Sequence, residues 1–86
     1  MKPRKAPYGS KNICGANIER IRKQQGIKQA TIISQMQLRG VDINPSSFSK
    51  LEGQTRIATD IELKVISEIL NVSMDFLTQD SHDSEV

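Results

Sequence analysis

Asn44 and Pro45 stand side by side ahead of the stretch SSFSKLEG, and this pair constrains the fold more than any other feature of the chain. An Asn can cap the free amides at a helix start, and a Pro, which has no N–H to lose, fits the first helical position. A helix is therefore predicted from Pro45 to about Glu52, stopped by Gly53. Its apolar residues Phe48 and Leu51 share one side, which leaves Ser46, Ser47, Ser49 and Lys50 for solvent or ligand. Upstream, QATIISQMQLRG carries Ile32, Ile33 and Met36 at helical spacing and ends at Gly40. Two short helices joined by a Gly-containing turn, with Val41 to Ile43 between them, make a helix-turn-helix pattern. Short polar side chains near a helix N-terminus, with one cation a turn later, suit an approach to base edges and phosphates in a major groove.

The flanking segments read as helices too. Helix 1 is predicted from Ile13, capped by Asn12, to Gln25, with Ile18 and Ile21 facing inward and Gly26 as the left-handed residue after it. Thr59 caps helix 4, and Asp60 and Glu62 in its first turn complement the helix dipole. Leu63, Ile66 and Leu70 form its expected core stripe. Val65 and Ile69 lie to one side and give the helix more apolar width than one core needs, which marks them as a candidate dimer contact. Ser73 caps a last short helix containing Phe76 and Leu77. No stretch alternates apolar and polar residues over enough positions for a strand, so the expected fold class is all-α with five helices. Eighty-six residues with 36% apolar content support one modest core. The chain divides into a flexible basic arm at residues 1–11, a domain at 12–78 and a disordered acidic tail at 79–86.

Charge is distributed unevenly along this division. Residues 1–56 hold eleven Lys and Arg against Glu19, Asp42 and Glu52, a net of +8, whereas residues 57–86 set Lys64 against seven acids, a net of −6. Polyanion binding thus belongs to the first half. The single Cys14 excludes an intramolecular disulfide and any four-Cys zinc site, and reads either as a small buried apolar residue or as a reactive thiol. No apolar run approaches the roughly 20 residues that span a bilayer, and the N-terminus has charge without a signal peptide's apolar core. A soluble cytoplasmic protein is expected, with no cofactor, metal or small-molecule ligand. An enzyme fails on inventory. The one His, His82, sits in the polar tail, and Glu19, Asp42 and Glu52 are too dispersed among bases for an acid–base pair.

With IERIRKQQGIKQ, SFSKLEGQTR and TDIELKVISEILNVSMDFL in order, the chain resembles the lambda-repressor-like helix-turn-helix family, the phage Cro and repressor type, over about Ile13 to Leu77. The resemblance implies a five-helix DNA-binding domain whose helices 2 and 3 form the helix-turn-helix. It also implies that Arg22 pairs with Glu52 to clamp the motif to the scaffold. Gln29 matches the Gln that caps helix 2 against a DNA phosphate, with Lys28 adding charge beside it. Thr55 and Arg56 match a loop that grips the next phosphates. Base reading then falls to Asn44, Ser46, Ser47 and Lys50, with Lys50 on guanine. The chain departs from the family's commonest pattern at QLRGV, where helix 2 and its turn are about five residues longer; related bacterial regulators carry such a form. Arg39 there is either an extra phosphate contact or a solvated helix-end charge. Pro45 also replaces a side chain that often reads bases.

Two functions follow from these readings. The first is a sequence-specific regulator of double-stranded DNA, a repressor acting as a homodimer on a palindromic operator. The second is a protein-interaction module, such as an antitoxin-like or accessory partner protein, built on the same fold.

Overall fold

The computed structural model describes residues 6–79 of the chain. It contains five helices: α1 (Gly15–Gln24), α2 (Gln29–Leu38), α3 (Pro45–Glu52), α4 (Asp60–Leu70) and α5 (Met74–Thr78). No strand occurs among the described residues, as expected for an all-α chain. The basic residues Lys2, Arg4 and Lys5 of the expected arm, and the tail from Asp80 including His82, lie outside the described residues.

Local chemistry sets the helix boundaries. Asn44 Oδ1 accepts from the Ser47 amide at 2.8 Å, Ser73 Oγ accepts from the Phe76 amide at 3.0 Å, and Thr59 with Glu62 closes a reciprocal capping box. Four helices end in one motif, in which a left-handed residue turns the chain and the next amide reaches back five residues. Gly26 and Gly40 hold that position after α1 and α2, as their lack of a Cβ allows. After α3 and α4 the position falls on Gln54 and Asn71. α3 ends at Glu52 with Gly53 as its cap, as expected, though Gly53 is right-handed and the left-handed residue follows it. The start of α1 differs from expectation. Asn12 Oδ1 accepts from the Cys14 and Gly15 amides, so the helix opens at Gly15 and leaves Ile13 outside it and exposed.

Apolar residues from all five helices form one core, with Ile18, Ile32, Met36, Phe48, Leu51, Ile66, Leu70 and Leu77 fully buried. α3 packs between α1 and α2, while α4 covers α2 and is joined by α5 to α1. The segment from Val41 to Asn44 is non-helical and crosses from α2 to α3. It buries Val41 and Ile43, and Gln37 Nε2 pins it by donating to the Ile43 carbonyl at 2.8 Å. The face of α4 is rotated from the expected stripe. Ile66 and Leu70 are buried as foreseen, but Leu63 is only half-buried and Ser67 takes an inward position. Val65 and Ile69, expected to be left uncovered, are half-buried against the core. The bare apolar surface of this region lies instead at Ile57 and Ile61, 72% and 66% exposed.

Residues 8–11 are not a free arm. The Gly9 amide donates to the Gly53 carbonyl at 2.7 Å and the Lys11 amide to the Gln54 carbonyl at 2.9 Å, while the Tyr8 hydroxyl donates to Glu19. No helix among the described residues is long and apolar enough to cross a membrane.

Candidate nucleic-acid interface

With about 3.6 residues per turn, Phe48, Leu51 and Glu52 place one face of α3 in the core, and Ser46 and Lys50 fall directly opposite. Ser49 and Ser47 flank that ridge on its two sides. Ser46, Ser49 and Lys50 are exposed, Ser47 is half-buried, and Asn44 is exposed at the cap. The four base-reading candidates therefore share one surface. Asn44 is also occupied as a cap through its Oδ1, so only its amide nitrogen is left to donate outward.

What holds the ridge in place is a buried pair behind it. Glu52, fully buried, receives Arg22 in a two-bond fork, Nε to Oε2 at 2.7 Å and Nη2 to Oε1 at 3.0 Å. The third guanidinium contact, Nη1 to the Ile27 carbonyl at 2.8 Å, draws in the α1–α2 turn. The expected Arg22–Glu52 clamp is present, and it keeps the one carboxylate of α3 away from the exposed side. Gln29, expected to meet a phosphate, is a member of the same network. Its Nε2 donates to Glu52 Oε1 at 2.8 Å, and its Oε1 accepts from the Ser49 hydroxyl at 3.3 Å. The side chain braces α2 against α3 and is not free for a ligand. The bond to Ser49 nonetheless sets the start of α2 beside the ridge. Lys28, exposed, precedes that helix without capping it by a side chain. Free amides and the positive end of the dipole thus remain there for an anion.

The other flank is the loop after α3. The Thr55 hydroxyl donates to the Lys50 carbonyl at 3.3 Å and so points back onto α3. Arg56, expected on a phosphate, is committed inside the protein. It forks onto Glu62 at 3.0 and 2.9 Å, and it donates to the Ser47 and Ile57 carbonyls at 3.0 and 2.8 Å. A guanidinium neutralised in this way offers little charge to DNA, and its role is to lock the loop between α3 and α4. Burial pushes the Glu62 carboxyl up, but hydrogen bonds from Arg56 and Thr59 outweigh it and hold its pKa below the ordinary carboxylate value. Arg39 stays exposed at the end of α2, turned back onto Gln35.

Asn12, expected only as a helix cap, and Gln54, expected only as a loop residue, complete the support. Asn12 donates to the Leu51 and Arg56 carbonyls at 3.1 and 2.8 Å while capping α1 with its oxygen. Gln54 Oε1 accepts from the Ala16 amide at 3.0 Å, and its Nε2 donates to the Gly9 carbonyl at 3.0 Å. Cys14 is buried, and burial pushes its thiol up to about 11 against a smaller opposing backbone hydrogen bond, which favours the packing role over the reactive one. Among the described residues no group of acids, His and Cys could hold a metal ion.

No protein-family model matches this chain, and neither does any curated protein or solved structure.

Proposed function

We propose that this protein is a sequence-specific regulator that binds double-stranded DNA through a lambda-repressor-like helix-turn-helix, a cytoplasmic repressor acting as a homodimer on a palindromic operator. One observation carries the reading: α3 turns Ser46 and Lys50 outward from a helix fixed from behind by the Arg22–Glu52 pair. In a major groove the Lys50 ammonium reaches guanine O6 and N7, and the small serine side chains let the helix backbone come close to the base edges. Lys28 and the uncapped amides at the start of α2 sit one flank away and hold a phosphate. Two such helices, spaced about 34 Å apart on a dimer, enter successive grooves. Repression is then steric, and no step requires catalysis.

The test is equilibrium binding to duplex DNA over a range of salt. Log K is expected to fall linearly with log salt, with a slope of about −0.9 per phosphate neutralised. Lys28→Ala is expected to flatten that slope by about one unit for every sequence. The exposed Ile57 and Ile61 favour a second reading, a module that holds another protein through an apolar surface. A salt-independent affinity for a protein, without duplex binding, would establish that one.

A further inference from the structure

We infer that the ridge formed by Ile57, Ile61 and Val65 at the start of α4 is where a second copy of this chain docks, α4 crossing its twin antiparallel. The inference deepens the homodimer of the proposed function by naming its interface. Ile61 is 66% exposed on the side of α4 opposite the buried Ile66 and Leu70. One turn on is the half-buried Val65, and four residues before Ile61, just outside the helix, is Ile57 at 72% exposure. Asn12, bonded to the Arg56 carbonyl, brings the chain at the exposed Ile13 next to the chain at Ile57. Arg56 and Glu62, close by, are already spent on each other.

The occupant follows from charge and symmetry. Asp60 and Lys64 are both exposed and one turn apart along the edge of the ridge, so the edge reads negative then positive along the helix. Among the described residues Asp60 forms no ion pair, and Lys64 reaches only Glu68, loosely, at 3.8 Å. A two-fold axis near Ile61 sets each Ile61 on its twin, turns Val65 of each copy towards the Ile57 end of the other, and brings Asp60 of each copy towards Lys64 of the other. A self-complementary patch of this kind is what an isologous interface requires. Arg56, forked onto Glu62 of α4 and bonded to the Ser47 carbonyl of α3, links the two helices through the loop, so this contact bears on the spacing of two α3 ridges.

The experiment is cysteine cross-linking of the full chain without DNA. Ile61→Cys, on the axis, is expected to form a disulfide-linked dimer at least about tenfold faster than Leu38→Cys, a 79% exposed control, because a thiol held against its twin meets a raised effective concentration. The buried native Cys14 stays out of the reaction. Asp60→Lys and Lys64→Asp are each expected to weaken association about fivefold in sedimentation, and the double reversal to restore it. Equal rates for the two cysteine variants, or a double reversal no better than its singles, would overturn the interface. DNA binding is read separately, so loss of salt-dependent duplex affinity would remove the function while leaving the dimer standing.

Discussion

The two ends of α3 are held in very different ways. Its last turn and the loop after it receive Arg22 and Gln29 on Glu52, Asn12 on the Leu51 carbonyl, and the Gly9 and Lys11 amides on the Gly53 and Gln54 carbonyls. Its first turn has the Asn44 cap and the single bond from Arg56 to the Ser47 carbonyl. Hydrogen bonds concentrated at one end make a fixed base, and Ser46 in the first turn and Lys50 in the last are left exposed on the outer face. The contrast teaches that a short helix can present its outer face without being loose, since its orientation is set from its C-terminal end.

Breaking the base should cost most. Arg22→Met leaves the fully buried Glu52 carboxylate without its ionic partner and is expected to lower unfolding free energy by roughly 3–5 kcal/mol, read from the denaturant midpoint. Adding Glu52→Leu should recover much of that loss, because the stranded charge is gone. An unchanged midpoint in the single variant would mean the pair is not formed in solution. Gly15→Ala is next. A Cβ there would lie 2.3 Å from the Leu51 carbonyl oxygen and 2.6 Å from that of Glu52, both backbone atoms, so α1 must move off α3. The expected cost is about 1–3 kcal/mol by thermal melting, and a neutral Ala would show that the two helices are not in such close contact.

The contrast between the ends also marks what could be read from sequence. Helix starts at Pro45, Asp60 and Met74 were legible because their caps, Asn44, Thr59 and Ser73, act on amides three residues away. The Arg22–Glu52 pair was legible through the family resemblance. Partners brought together only by packing were not. Arg56 was assigned to a phosphate by the resemblance, and its actual acceptors, Glu62 and the Ser47 carbonyl, are hidden from sequence because they belong to two different helices. Gln29 was read as a phosphate ligand because nothing local reveals that Glu52 and Ser49 lie beside it. The docking of residues 8–11 depends on a backbone approach at Gly9 that has no local signature. On α4, a periodicity reading does not count Ser67 as buried, and so it misplaces the bare apolar surface by a fraction of a turn.

Smaller effects are expected away from that base. Asn44→Ala removes the cap and should cost about 1 kcal/mol; a melting temperature equal to the parent's would deny the cap any weight. Glu62→Gln should cost up to about 1 kcal/mol at neutral pH, with a characteristic pH dependence. Because the folded pKa of Glu62 is lowered, its contribution is complete above the ordinary carboxyl value of about 4.3 and fades as pH falls through the folded pKa. The stability gap between parent and variant should therefore be constant near neutrality and close on acidification, whereas a gap that widens there would reverse the sign. The smallest effect on stability belongs to Lys50→Ala, within about 0.5 kcal/mol, since the side chain is exposed.

That near-silence makes Lys50 the sharpest probe of the central claim, that the exposed ridge of α3 reads DNA. The measurement is parallel selection of bound sequences from random duplex DNA by the parent and by Lys50→Ala. The expected result is a two-fold symmetric consensus for the parent, and for the variant the same consensus with one guanine preference per half-site lost, at a cost of roughly 1–3 kcal/mol on the parent's best duplex. No enriched consensus from the parent, or an identical one from the folded variant, would contradict it.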